Sequence, residues 1–233
     1  MKPADALSYY RDLRPSNLNS PRYRHLLLLI FWPIFGVVFW TLEIAWPSIW
    51  KAITGRTLIY FPIEVPLDAY IPFCEWFIIP YYFWFAYLVG MMVYGLLFDH
   101  LAFRRFMWFV ILSYSATALF YLIFPNMQAL RPIEFPRDNL LTAIVHGLYD
   151  FDTNTNVCPS IHVLGTLAVG CAGWHSPHLQ TPALRVFFVL STLLISSSTV
   201  FLKQHSIVDV VAALLLSAIC YPIVFYGICR KGG

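Results

Sequence analysis

The feature that most constrains this chain is a series of apolar stretches, separated by polar or proline-rich breaks, that match the thickness of a lipid bilayer. A helix rising 1.5 Å per residue needs about 20 predominantly apolar residues to cross the hydrocarbon core. Six stretches reach or approach that length: 26–46, 76–97, 106–124, a short one at 159–174, 185–202 and 206–228. Hydrophobic residues make up 59% of the chain and charged residues only 12%, against about 25% charged in an ordinary soluble domain. Lipid must therefore serve as part of its solvent. The expected fold is all-α, a polytopic membrane protein built as a six-transmembrane-helix bundle with short interfacial helices on the outer face. Residues 1–25 read as a cytoplasmic N-terminal segment without a cleavage site, 26–228 as one six-span membrane domain, and 229–233 as a cytoplasmic tail.

Charge placement orients the bundle. With the N-terminus inside, ten of the 15 Lys and Arg residues fall on inner segments: Lys2, Arg11, Arg14, Arg22, Arg24, Arg104, Arg105, Arg185, Arg230 and Lys231. Lys51, Arg56, Arg131, Arg137 and Lys203 fall outside. This excess follows the positive-inside rule and predicts a multi-pass cell-membrane protein with both termini cytoplasmic. The net charge of +3, with no long basic run, argues against nucleic acid as a partner, and nothing points to an obligatory protein partner. No segment repeats, so a transporter built from duplicated halves is not supported.

Two outer connections are long. Residues 47–75 are too apolar for a solvated loop and too rich in proline for a span, which predicts a segment lying along the outer interface. Within 125–158, Leu140, Leu141, Ile144, Val145 and Leu148 share one helical face and predict a short amphipathic helix.

Polar residues at membrane depth are costly and generally functional. Here they gather on one side. Ser160 and His162 open the fourth stretch, His205 and Asp209 sit where the fifth hands over to the sixth, and Arg131 lies on the outer loop before them. His205 and Asp209, four apart, share a helical face, so the carboxylate can hold one imidazole nitrogen and leave the other as nucleophile or base. Pro159 suits the first turn of a helix whose free N–H groups, with the Ser160 hydroxyl, would receive an anion. His162, one turn in, is a candidate proton donor. Arg131 carries a fork that grips two phosphate oxygens, and Lys203 could add a second charge. These are the parts of a metal-free phosphoryl transfer. The remaining histidines, His25, His100, His146, His175 and His178, lie near boundaries or on loops and are expected to be solvated or snorkelling.

The same residues resemble the type 2 phosphatidic acid phosphatase superfamily, whose membrane members have six spans and three motifs, KxxxxxxRP, PSGH and SRxxxxxHxxxD. Here Arg131-Pro132 matches the end of the first, with Phe124 at the position of its Lys; Pro159-Ser160-Ile161-His162 matches the second, with Ile161 for Gly; and Ser198 to Asp209 matches the third with its spacing intact and Thr199 for Arg. The resemblance implies a lipid phosphatase acting at the outer leaflet on a lipid phosphate or diphosphate, without cofactor or metal. In that scheme His205 attacks phosphorus, Asp209 orients it, His162 protonates the leaving oxygen, and Arg131, Ser160 and Lys203 hold the phosphate.

Two family cations are missing, at Phe124 and Thr199, which suits a phosphodiester better than a dianionic monoester. The alternative is therefore a lipid phosphotransferase that moves a phospho-head-group between lipids, as inositol phosphorylceramide and sphingomyelin synthases do. A non-enzymatic lipid carrier is the remaining class. A metal site on His162, His205 and Asp209 would need a further strong ligand that no additional His or Cys obviously supplies. Cys74 and Cys158 both fall on the outer side, where a disulfide could form.

Overall fold

The structure, a computed structural model, describes residues 8–230. Lys2 and Lys231, used above to orient the chain, lie outside the described residues, as do the other residues at the two extremes of the assigned terminal segments. The architecture is all-α, with seven principal helices: α1 (Arg24–Thr54), α2 (Ile78–Phe98), α3 (His100–Ile123), α4 (Leu140–Phe151), α5 (Ile161–Trp174), α6 (Pro182–Phe201) and α7 (Ile207–Ile228). Among the described residues, five of these are long and apolar enough to cross a membrane: α1, α2 with the single turn Glu75–Phe77 before it, α3, α6 and α7. Their outward faces carry Val37, Ile79, Phe85, Leu193, Leu215 and Ile219, all half or more exposed, a density of bare hydrocarbon that lipid covers and water would not tolerate.

α5 is different. Its 14 residues rise about 21 Å, short of a hydrocarbon core of about 30 Å. It nevertheless runs from one end of the bundle to the other. At its start the Ser160 N–H donates to the Asp209 carbonyl at 3.3 Å, and just past its end Ser176 Oγ donates to Asp99 Oδ2 at 2.7 Å. A helix so short can do this because it is wrapped in protein. His162, Val163, Leu164, Gly165, Thr166 and Ala168 are all buried, and α2, α3, α6 and α7 all pack against it. Small residues let them close in: Gly165 faces the Tyr114 hydroxyl and the Trp84 indole, and Gly173 faces the Phe188 ring. The fully buried Phe103, Phe106, Met107, Phe109 and Val110 of α3 fill the other half of the core.

The first helix corrects the reading of 47–75. It continues through Pro47 to Thr54, so only the residues from Gly55 onward form the connection. Proline lacks the N–H that an α-helix needs in its interior. Here a π-turn at Thr41–Ala45 precedes Pro47, so a change of helix type absorbs the missing donor; a second π-turn, Ile223–Ile228, follows Pro222.

The end of the bundle that holds Asp209 is built from connections. Phe61–Pro62 and Asn126–Met127 pair as two short parallel strands, and Met127 also bridges Thr155. α4 packs Val145 and Leu148, with Ile144 and Leu141, onto Ile78, Tyr81 and Leu202, as its amphipathic pattern predicts; Leu140 turns outward at 76% exposure. Arg137 clasps the buried Glu75 with two bonds of 2.6 Å and ties this helix to the start of α2. Cys74 and Cys158 are free thiols.

At the opposite end His25 and His100 depart from the solvated role expected of them. Their rings stack at 4.5 Å, and the Tyr10 hydroxyl lies 3.1 Å from each Nε2 while donating to the Leu96 carbonyl at 2.8 Å.

Candidate active site

Two helix starts and one turn carry the polar cluster. At the start of α5 the side chain of the buried Asn126 works as a clamp. Its Oδ1 accepts the N–H groups of Val157 and Cys158 at 2.9 Å each, and its Nδ2 donates to the carbonyls of Phe124 and Cys158. Tyr121 Oη donates to the Pro159 carbonyl at 2.8 Å. Ser160 then caps the helix, its hydroxyl accepting the Val163 N–H at 3.5 Å, and is fully buried. His162 follows in the first turn, lying against Tyr81 and Trp84 of α2 with ring centroids 4.5 and 4.4 Å away.

Between α6 and α7 the chain reverses in a tight turn. The Thr199 carbonyl accepts the N–H groups of both Gln204 and His205 at 3.0 Å, Lys203 takes a positive φ of 54°, and Gln128 Nε2 donates to the carbonyls of Lys203 and Gln204. Ser206 caps α7. Asp209, one turn in, accepts the Ser206 N–H at 3.0 Å and, on the same Oδ2, His205 Nδ1 at 3.0 Å. A carboxylate accepts only, so Nδ1 carries the proton, and in the neutral imidazole Nε2 keeps its lone pair. The helical spacing of four thus produces the oriented imidazole expected of it.

Folding brings this imidazole to the other. The rings of His205 and His162 lie 5.9 Å apart, inclined at 65°. Both line a cavity of about 30 Å³ with Asp152, Thr153, Thr155 and Asn156. That is room for one or two waters or one small polar group.

The two expected cations are engaged elsewhere. Arg131 stacks over the Tyr149 ring, donates from Nη1 to the Tyr149 carbonyl, and donates from Nη2 to the carbonyls of Asp152 and Thr153 and to Gln204 Oε1. Its guanidinium caps the C-terminus of α4 and braces one wall of the cavity. Lys203 Nζ donates to the Asp68 carbonyl at 2.7 Å and does not line the cavity. Burial pulls both side chains below their usual pKa range. Phe124, at the position of the family's Lys, stacks on Phe61 at 4.8 Å, and the Thr199 hydroxyl is spent on the Ser196 carbonyl.

Three acidic residues matter that sequence reasoning gave no role. Asp152 lines the cavity and accepts from the Tyr81 hydroxyl at 3.4 Å; burial pushes its pKa up, opposed by nearby His205 and Arg131. Glu43, inside the π-turn of α1, accepts from the hydroxyls of Thr153 and Thr155 and fixes the wall opposite His205. Asp68 joins the 66–70 turn to the start of α7: Oδ1 accepts the Ile207 N–H at 2.9 Å, and Oδ2 accepts the Ser206 hydroxyl at 2.7 Å and the Val65 N–H at 2.9 Å. The only sequence signal for Glu43 and Asp68 was an acid in largely apolar surroundings, and Asp152, in the polar run 150–156, carried none.

Among the described residues no group of three or more His, Cys, Asp or Glu is arranged to hold a metal ion. Compared with known proteins, the chain matches no family model, no curated protein and no solved structure.

Proposed function

We propose that the chain is an integral membrane phosphoryl-transfer enzyme, a lipid phosphatase that works through a phosphohistidine on His205. The observation that carries this reading is the pair of facing imidazoles, one of them held by a carboxylate. In-line displacement needs a nucleophile on one side of phosphorus and a proton donor for the leaving oxygen on the other. A reacting atom at near attack sits about 3–3.5 Å from its target, so two rings 5.9 Å apart can span one phosphorus.

His205 Nε2 donates its lone pair to phosphorus, and the bond from phosphorus to the lipid oxygen breaks as His162 hands that oxygen a proton. Asp209 stabilises the positive charge that develops on the His205 ring. Water then enters where the lipid left, gives a proton back to His162, and attacks phosphorus; the P–N bond breaks and its electrons return to Nε2. No metal takes part. The open N–H groups of the first turn of α5, which Ser160 caps, receive phosphoryl oxygens, and the half-buried guanidinium of Arg131 adds positive charge from behind the wall. In this scheme α5 counts as a sixth crossing, and the site lies at the outer leaflet with both termini cytoplasmic. Eight described basic residues at the far end, from Arg11, Arg14, Arg22 and Arg24 to Arg104, Arg105, Arg185 and Arg230, support that orientation.

The second reading, transfer of a phospho-head-group to a lipid hydroxyl, draws support from one observation: the cations that would steady a phosphate dianion are absent or already bonded. Presenting the detergent-solubilised protein with phosphatidic acid, a polyprenyl diphosphate, and a phospholipid plus diacylglycerol distinguishes free phosphate from a new phospholipid. His205→Ala is expected to abolish either product while the protein still purifies as a monodisperse species. Unchanged turnover in that variant refutes the reading.

A further inference from the structure

The charges around the cavity do not suit every phosphate equally. Three carboxylates lie at or behind its walls: Asp152 lines it, Asp209 holds one of its imidazoles, and Glu43 holds its threonines. They are close enough together that the Tyr121 phenol lies in the field of all three. Against them stands one guanidinium, whose Nη groups are already bonded to three carbonyls and the Gln204 amide. Lys203 is turned to Asp68, and neutral side chains occupy 124 and 199.

Of these three acids only Asp152 lines the cavity. Asp209 Oδ2 is fixed by His205 and Ser206, and Glu43 Oε2 by two threonine hydroxyls. Asp152 Oδ2 has one long bond, 3.4 Å, from the Tyr81 hydroxyl. The groups facing its carboxyl are Tyr81 from α2, His205 from the turn before α7, and Arg131 from the loop before α4.

We propose that Asp152 is a specificity residue that selects phosphate groups bearing one negative charge, phosphodiesters, over dianionic phosphomonoesters. The proposal rests on the phosphoryl-transfer reading of the same site, names its substrate class, and of the two forms of that reading favours attack on a phosphodiester. A monoanion in the cavity is balanced by the single positive charge of Arg131 beside it. The second charge of a monoester meets Asp152 with nothing left to offset it. At an effective dielectric near 20, a full charge about 6 Å away alters binding by about a hundredfold, and the nearby guanidinium reduces this to about tenfold.

The test uses two short-chain lipids at pH 8, dihexanoyl phosphatidic acid as the dianion and dihexanoyl phosphatidylglycerol as the monoanion. Binding is measured calorimetrically on the His205→Ala background, where turnover cannot interfere. Asp152→Asn keeps the shape and removes the charge; it is expected to strengthen phosphatidic acid binding relative to phosphatidylglycerol about tenfold. Asp152→Glu keeps the charge and should keep the wild-type ratio. Asp150→Asn, whose exposed carboxylate pairs with His146, should leave the ratio unchanged. In the active protein Asp152→Asn should shift the ratio of monoester to diester turnover the same way. If Asp152→Asn leaves the binding ratio within twofold of its parent, or Asp152→Glu shifts it as much as Asn does, the proposal is overturned. Failure of the phosphoryl-transfer reading would look different: no product from any substrate, with the binding ratio still responding to Asp152.

Discussion

Asp68→Ala is a direct way to ask what holds His205 in place. The Asp68 carboxylate is 1% exposed and accepts three hydrogen bonds, from the Val65 N–H, the Ser206 hydroxyl and the Ile207 N–H. Two of the three come from the first residues of α7, where the N–H groups have no partner within the helix and a negative charge is favourable. Hydrogen bonds to a charged group contribute about 1.5–3 kcal/mol each, and an orphaned buried donor costs about 1–3 kcal/mol. Since the three share one anchor they are not additive, and the expected loss for Asp68→Ala is about 3–5 kcal/mol, a large part of a typical total of about 5–15 kcal/mol. Asp68→Asn keeps one acceptor oxygen but turns an amide toward the donors, so about 2 kcal/mol is expected.

Equilibrium unfolding in mixed detergent micelles reads the loss. Amide hydrogen exchange reads its location, and protection should fall first at 203–207 and 65–68, with the ends of α3 and α5 at the far side of the bundle little changed. An Asp68→Ala protein within 1 kcal/mol of its parent, or a loss of protection spread evenly over the bundle, would refute the reasoning.

Two further outcomes follow from geometry and charge. A methyl group added at Gly95 would sit 2.7, 2.8 and 2.9 Å from the Cβ, Cα and N of Phe103, so Gly95→Ala must force α2 and α3 apart at a backbone that cannot yield. The expected cost in thermal or denaturant unfolding is about 3 kcal/mol, against less than about 0.5 kcal/mol for Gly90→Ala, where nothing lies within 4 Å. Asp152 predicts a pH dependence: its pKa is raised by burial, so folding favours the protonated carboxyl. Below the unfolded pKa of about 4 both states are protonated and no penalty applies; as pH rises toward the folded pKa the penalty grows. Asp152→Asn should therefore gain stability over its parent between pH 4 and 7, and a gap that is flat or shrinks over that window contradicts the assignment.

What was legible in the sequence is what repeats at short range. The six apolar stretches correspond to α1, α2, α3, α5, α6 and α7, and the spacing of four between His205 and Asp209 became a bond of 3.0 Å because one helix turn carries both. The apolar face of α4 was visible for the same reason. The boundary of α1 was not, since a proline ordinarily ends a helix, and the π-turn that rescues Pro47 leaves no mark in residue type. Contacts that close the site over long separations were equally invisible. Asp68 meets Ser206 across 138 residues and Thr155 meets Glu43 across 112, and an acid in an apolar run looks the same whether it is anchored or solvated.

Arg131 marks the point where residue type and structure part. By type it is the phosphate fork of the site, since a guanidinium matches two anionic oxygens. In the fold it stands beside the end of α4, where the last carbonyls of a helix have no partner within it. Those of Tyr149, Asp152 and Thr153 would be left without donors near a small buried cavity, and a planar side chain with five N–H groups can satisfy them together. Each N–H so used is lost to a ligand, though the positive charge is not. The charge remains beside a cavity whose other fixed charges are carboxylates, so it offsets one negative charge on a bound group and leaves a second uncompensated. The geometry that removes Arg131 from direct grip is thus the same geometry that gives Asp152 its influence over substrate charge.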